Sequence, residues 1–393
     1  MRLRRCAILL IEPRERTDFD LGLLLQGGNG LHTSIDQIAL LPHIAGEDVL
    51  TPAEAAVAMA ISPAAWLELD ELATTHPRDV LEALTCKRVL VIEGSEIDAY
   101  DRRLRDTRWR AVAAAMHYAS RWHGVDTEAV EREATEIVEG DALARLGPAP
   151  LHVHERSPAG ERQPLAPVST SPLDELLVHR VTCRNFCSES SLSLELFSAV
   201  MHRAWSARAV DEYAPGVKLL KKGVPSAGGL HPTEAYVLVQ RVEGITPGLY
   251  HYHPVDHALE SIRTLDPLET GALARRFVAA QAYFVDVPVM VIPTSRFRRN
   301  FWKYRNHAKA YRALILDVGH LSQTMYLAAT EFGLAAFITA AINEVDIEQA
   351  FGLDPLEEGP LAVCGFGARA PKQREVEFDP LQVAWPPAPE EPQ

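Results

Sequence analysis

Apolar residues enter this chain in short runs. Residues 6–11 (Cys-Ala-Ile-Leu-Leu-Ile) and 19–25 (Phe-Asp-Leu-Gly-Leu-Leu-Leu) predict strands, and Gly27-Gly28-Asn29-Gly30 is a turn before a third near 33–41. The pattern then becomes helical. Thr51-Pro52-Ala53-Glu54 combines an N-cap with a proline at the first helical position and opens an Ala-rich helix. Ser62-Pro63 opens a second and His76-Pro77 a third, reaching about residue 85, before 88–92 returns to a strand. Three strands followed by three short helices predict a small winged-helix-like module. Trp109, Val112, Met116, Tyr118 and Trp122 mark a helix over 98–124, an aromatic stripe at core spacing. A Glu- and Ala-rich helix is predicted over 127–145.

Proline and glycine crowd residues 146–172, which read as a linker. This divides the chain into an N-terminal unit (1–145), the linker, a second unit (173–383) and a flexible tail (384–393). The second unit starts with a helix at Leu173 and a further helix from Ser191 to about Ala207. Strands are predicted at 236–241, 247–252, 287–292 and 360–365, with helices at 266–283 and 346–351 between them. The strongest helical pattern is 308–332, where Tyr311, Leu314, Val318, Leu321 and Met325 share a face and Gly333 suits the C-cap. Gly319 within it suggests close approach by a neighbour, across a dimer seam.

Composition narrows the function. A formal charge of −14 disfavours non-specific nucleic-acid binding and docking on anionic membranes. Five cysteines, Cys6, Cys86, Cys183, Cys187 and Cys364, make no disulfide framework and point to a reducing cytoplasm. No second ligand pair accompanies Cys183 and Cys187 at zinc spacing, and His251, His253 and His257 read as structural, so no metal site is expected. The apolar run after Met-Arg-Leu-Arg-Arg is too short for a signal peptide, and no stretch is long enough to span a membrane. No Gly-x-Gly-x-x-Gly follows a strand, so no built-in nicotinamide domain is expected.

Three stretches carry candidate chemistry. Pro225-Ser226-Ala227-Gly228-Gly229-Leu230-His231-Pro232 places adjacent glycines where a flat or anionic ligand can approach the backbone. Arg180-Val181-Thr182-Cys183-Arg184 brackets a hydroxyl with two guanidinium groups, a pattern suited to phosphate. Lys303-Tyr304 lies in the most basic run of the chain, 296–312. Most of such a run reads as a solvated face, but an adjacent Lys-Tyr pair can move a proton if the lysine is desolvated.

Together these stretches resemble the SagB-type dehydrogenases, the peptide-modifying branch of the FMN-dependent nitroreductase superfamily. The likeness covers roughly 173–370 and includes Pro-Gly-Leu-Tyr-His-Tyr at 247–252 and Val-Gly-His at 318–320. It implies an α+β nitroreductase-like fold, a central mainly antiparallel sheet wrapped by helices, with FMN at a homodimer interface. It implies that Arg180, Thr182 and Arg184 hold the FMN phosphate, Thr182 standing where relatives carry serine. Pro225, Ser226, Ala227, Gly228 and Gly229 would cradle the flavin, and Ala340 and Ala341 would pass along its ring where relatives often have glycine. Gly365 and the downstream Lys372 and Arg374 would complete the cofactor site. Lys303 and Tyr304 would remove a proton from a thiazoline or oxazoline in a precursor peptide while the flavin takes up hydride, giving an azole. Expected partners are the precursor peptide, a second copy of the chain, and a cyclodehydratase or other maturation enzymes. Residues 1–95 then read either as a leader-peptide recognition module, adding the peptide as a strand, or as a packing and dimerisation domain. Two other functions stay open: an NAD(P)H-dependent flavin reductase of dehydroamino acid, nitro or enone compounds, and a non-catalytic peptide-binding scaffold.

Overall fold

The computed structural model describes residues 1–130, 147–156, 161–305 and 307–386. Most of the helix predicted over 127–145 and the end of the tail lie outside them.

The N-terminal part interleaves strands and helices. Its strands are β1 (Arg2–Arg5), β2 (Leu10–Phe19), β3 (Leu31–Leu41), β4 (Gly46–Leu50), β5 (Leu67–Glu68) and β6 (Leu90–Ile92). They form two antiparallel sheets, β2-β3-β4 and β5-β1-β6. The helices are α1 (Leu21–Leu25), α2 (Pro52–Ala60), α3 (Leu69–Leu72), α4 (Arg78–Cys86), α5 (Glu96–Thr107) and α6 (Ala111–Ala119). At α2 the predicted start is realised as a capping box between Thr51 and Glu54.

Three local expectations need correction. The apolar run expected as a strand at 19–25 becomes α1, because the Asp20 carboxylate accepts from the amides of Gly22 and Leu23. No helix opens at Ser62-Pro63; the Ser62 hydroxyl accepts from Ala64 and Ala65 and closes a turn instead. The helix expected over 98–124 breaks into α5 and α6 at Arg108, whose φ of +66° is left-handed and terminates α5.

The second part contains α7 (Pro172–His179), α8 (Leu194–Trp205), the hairpin β7 (Ala207–Ala214) and β8 (Val217–Lys222), then β9 (Thr233–Val239), β10 (Gly248–His253) and β11 (Ala258–Thr264). It continues with α9 (Pro267–Phe277), β12 (Val289–Arg296), α10 (Phe297–Tyr304), α11 (Ala310–Glu331), β13 (Ala335–Thr339), α12 (Glu344–Phe351), β14 (Glu358–Pro360) and β15 (Val363–Gly367). The central sheet runs β11-β10-β9-β12-β15-β13, with β14 on β12, and every strand pairing in it is antiparallel.

Alternation along the strands explains the layers. Val237, Val239, Val289, Val291, Cys364 and Phe366 face α8 and α11 in one core. Leu238, Met290, Ile292, Phe337 and Val363 face α9 and α12 in another. Both faces are apolar, so the strands read as continuous hydrophobic runs and the sheet is buried between two helix layers. This is the α+β architecture expected, with the mainly antiparallel sheet at its centre.

A further core joins the halves. Leu104, Trp109, Ala113 and Ala114 from α5, α6 and their junction pack on Phe297, Phe301, Tyr311 and Leu314 of α10 and α11. Trp109 Nε1 donates to the Leu356 carbonyl and the Tyr118 hydroxyl to that of Pro355. The residues around α5 and α6 thereby brace the helices that carry the candidate chemistry.

Candidate functional site

The long helix α11 is the spine of the site. Asp317 lies on its buried face, and Ser226 donates to Asp317 Oδ2 at 2.5 Å. The Ala227 amide donates to Asp317 Oδ1 at 3.3 Å, and the Ser226 hydroxyl accepts from the His231 amide at 3.0 Å. His320 Nδ1 lies 3.3 Å from the Pro225 carbonyl. The glycine loop is therefore laced to one helix by its own backbone and a single serine. Gly228 and Gly229 both have positive φ, +62° and +68°, which a side-chain-bearing residue adopts only at a cost.

That loop meets the Lys-Tyr pair. Lys303 Nζ donates to the Gly228 carbonyl at 3.3 Å. A Cβ placed on Gly228 would stand 2.5 Å from Tyr304 Oη and 2.6 Å from Lys303 Nζ. Both side chains come from the last turn of α10, so the sheet-to-helix turn after β12 delivers them to the loop. Lys303 is exposed and Tyr304 half-buried. The desolvation of lysine that the sequence reading invoked is thus not provided by the chain's own packing.

The groups behind the loop are strongly affected by burial. Burial raises the Asp317 carboxyl above its ordinary value, against the opposing bond from Ser226. It lowers Lys222, and with Lys222 nearby it holds His231 down to about 4. His231 is neutral at physiological pH, and its φ of +44° turns the chain from the loop into β9.

The basic segment lies along β13. Thr182 bridges to Ala336, and the Cys183 amide donates to the Ala336 carbonyl at 3.0 Å. Thr182 Oγ1 is 3.0 Å from Tyr326 Oη, and the Arg180 guanidinium sits over the Tyr326 ring at 5.4 Å. The Arg184 guanidinium sits over Tyr283 at 5.7 Å. Among the described residues neither arginine forms an ion pair with a carboxylate. Asp317 and Tyr326 are nine residues apart on α11, so the loop and the basic segment are separated by roughly 13 Å along its axis.

The remaining expected residues fall differently. Lys372 is exposed, and Arg374 Nη2 pairs with Asp286 Oδ2 at 3.2 Å. Their segment is nonetheless held beside the arginines: Asn185 Oδ1 accepts from the amides of Arg374 and Glu375 at 2.7 and 2.8 Å. Ala340 is exposed at the end of β13. Ala341 has its amide on Thr339 Oγ1 and its carbonyl under Gln281 Nε2, both bonds internal to the chain. Gly365 is buried in β15, where a Cβ would run into the Phe337 ring, so packing accounts for this glycine. Among the described residues no cluster of His, Cys, Asp and Glu is placed to hold a metal, and no helix is long and apolar enough to cross a membrane.

Asp317, Tyr326 and Asn185 are the positioning residues that sequence reasoning missed. A signal existed for Asp317: it is an acid set among Leu314, Val318 and Leu321 on the apolar stripe of α11. Such an acid is retained only where it has partners.

Residues 177–368 match the model of the nitroreductase family. The chain is 29% identical over 197 residues to MJ1384 of Methanocaldococcus jannaschii, a protein named as a nitroreductase, covering 50% of this chain and 91% of that one. It is 31% identical over 175 residues to the trifolitoxin-processing protein TfxB of Rhizobium leguminosarum bv. trifolii, covering 44% of this chain and 46% of the relative. It is 26% identical over 188 residues to the microcin B17-processing protein McbC of Escherichia coli, covering 47% and 65%. The match thus spans less than two thirds of each processing protein. Among solved structures, the E. coli microcin synthetase McbBCD complex with truncated pro-MccB17 bound superposes with a TM-score of 0.50 at 21% identity. That superposition covers 68% of this chain and 94% of the other, a likeness of fold. The buried antiparallel sheet, its two helix layers and the match over residues 177–368 identify a nitroreductase domain in this chain, whose relatives include a trifolitoxin-processing and a microcin B17-processing protein.

Proposed function

We propose that this protein is an FMN-dependent oxidoreductase that dehydrogenates thiazolines or oxazolines to azoles in a ribosomally made precursor peptide. The observation that carries the reading is the junction of Lys303, Tyr304 and Gly228. A proton-handling pair stands against a glycine loop held open by Ser226 and Asp317. The processing proteins among the relatives support a peptide as substrate.

The residues present fit the cofactor. Arg180 and Arg184 have no acid partner among the described residues, and Thr182 adds a hydroxyl, a donor set suited to a phosphate. Nothing lies within 4 Å of where a Cβ on Gly229 would stand, leaving the backbone there open to a flat ring. Bound FMN would supply two-electron oxidising chemistry, with oxygen as the final acceptor. The chain's own residues do the rest. Lys303 and Tyr304 remove the proton from the heterocycle beside the loop, and Ser226 and Asp317 fix the loop. A second copy of the chain fits α11, where Ile315 and Leu316 are 47% and 62% exposed and Gly319 meets nothing within 4 Å. A cytoplasmic setting and a cyclodehydratase partner accord with this reading.

The test is mass spectrometry of an azoline-bearing peptide incubated with the purified protein, alongside identification of any released chromophore. The expected result is released FMN and a loss of two hydrogens per ring, abolished in a Lys303→Ala, Tyr304→Phe double variant that keeps its flavin. Full turnover by that variant would remove the pair from the chemistry. The reductive direction is favoured by one observation, the match to most of a protein named as a nitroreductase. Rapid bleaching of the flavin by NADPH would select it. A colourless protein that cannot be reconstituted with FMN would select a non-catalytic scaffold.

A further inference from the structure

The basic run of α10 is larger than the candidate chemistry uses. Arg298 and Trp302 are four residues apart and share a face of α10. Two clefts open on either side of them. One, of about 400 Å³, includes Arg296, Arg299 and Glu358 in its wall together with Arg298 and Trp302. The other, of about 440 Å³, adds Arg105, Thr107 and Arg108 at the end of α5. Trp302 belongs to both and is 48% exposed.

The charges are unbalanced. Arg108, Arg298 and Arg299 form no ion pair with a carboxylate among the described residues. Arg299 is fixed by donating to the carbonyls of Leu230 and Lys218 at 2.6 and 3.0 Å, which leaves its charge uncompensated. Arg296 pairs with Glu234 and Arg105 with Asp101. Acids are present too: Asp106 in one cleft, Glu357 and Glu358 in the other. Burial pushes Glu358 up to about 7, which weakens its opposition. Three wall residues also carry buried polar atoms without a hydrogen bond, the Thr107 hydroxyl, Glu358 Oε1 and Arg296 Nε, the last in its ion pair with Glu234. In a chain of net charge −14, the two clefts form a groove lined by five arginines against three acids, with an aromatic between them.

We propose that this groove seats an extended, acidic stretch of the peptide substrate, with carboxylates on Arg298 and Arg108 and an apolar side chain against Trp302. The inference rests on the reading above, since Trp302 adjoins Lys303 on α10 and the wall residue Arg299 donates to the Leu230 carbonyl just after the glycine loop. A peptide fits better than a nucleic acid. The groove is short and broken by an aromatic, and a chain of net charge −14 is a poor track for a polyanionic backbone. Bidentate pairing of guanidinium with carboxylate supplies register, and the indole supplies contact area.

The experiment is fluorescence anisotropy of the full chain with a fluorescein-labelled peptide, Gly-Leu-Glu-Gly-Glu-Leu-Glu-Gly, and its Gln-for-Glu counterpart. The acidic peptide should bind at least about tenfold more tightly, and the difference should shrink between roughly 50 and 300 mM NaCl. The double variant Arg108→Ala, Arg298→Ala and the single variant Trp302→Ala should each weaken it about fivefold or more while the melting temperature stays unchanged. Equal binding of the two peptides, or indifference to all three substitutions, would overturn the proposal. So would an oligothymidine that competes as well as the acidic peptide, because the groove would then read charge alone. The outcomes separate this proposal from the reaction itself. Acidic-peptide binding without azoline oxidation sinks the proposed chemistry and keeps the groove; oxidation with no preference for acidic flanks does the reverse.

Discussion

Ser226 donates its hydroxyl hydrogen to Asp317 at 2.5 Å, and through that one bond the glycine loop is tied to the central helix. The same oxygen accepts from the His231 amide, so removing it loosens the loop at both ends. Replacing Ser226 by alanine leaves a buried carboxylate short of a donor. It should cost about 1.5–3 kcal/mol, the range for hydrogen bonds to charged groups. Asp317→Asn keeps the shape and one acceptor and should cost less. Urea unfolding of the two variants checks the ranking; equal stability of Ser226→Ala and the parent chain would show that the bond does not hold the loop.

The two glycines of the loop make opposite predictions for activity. Both need positive φ, so alanine at either position should cost about 1–2 kcal/mol of stability. Only at Gly228 does the added methyl meet Tyr304 and Lys303; at Gly229 it meets nothing within 4 Å. The expected result is similar melting temperatures for Gly228→Ala and Gly229→Ala but a far larger loss of turnover in the first. Comparable activities would mean that the loop and the pair do not act together.

Much of the domain is legible in the sequence because its strands are buried on both faces. Runs such as Val289-Met290-Val291-Ile292 leave no polar face to confuse the period, and the strand expected over 287–292 begins at Val289. The capping box at Thr51 and the stripe along α11 are equally local signals. What is not local is not legible. The meeting of Gly228 with Lys303 joins positions 75 residues apart, and no pattern announces it. The break at Arg108 depends on a left-handed arginine, a conformation with no compositional mark. Gly365 shows the converse: a glycine in a likely-looking motif can be required by a phenylalanine on the neighbouring strand.

Cofactor discrimination tests the basic segment apart from catalysis. Riboflavin lacks the phosphate, so the arginines should matter for FMN alone. Loss of one charge-assisted contact is worth about 1.5–3 kcal/mol, or roughly tenfold to a hundredfold in affinity. Arg184→Ala and Arg180→Ala should therefore weaken FMN by about that factor and leave riboflavin unchanged, read by quenching of flavin fluorescence. Thr182→Ser should be close to neutral, because it keeps the hydroxyl that meets Tyr326. A parent chain that binds both flavins equally would dismiss the segment as a phosphate site.

Acid should loosen the joint between the two parts of the chain at His117. This residue is buried among Trp109, Phe297 and Tyr311, with Nδ1 2.9 Å from Tyr311 Oη. Burial, with Arg121 adding to it, holds the imidazole down to about 3, against about 6.5 in an unfolded chain. The unfolded state therefore binds the proton more readily than the folded one. Stability from this group is complete above pH 6.5 or so and declines by up to about 1.4 kcal/mol per unit as the pH falls toward 3. His231, held down to about 4, contributes with the same sign. His117→Phe keeps an aromatic ring in the cluster and removes one titrating group. Its melting temperature should fall less between pH 7 and pH 5 than that of the parent chain, whatever its stability at pH 7. An unchanged pH slope would show that the proton enters elsewhere, with His231 the next residue to replace.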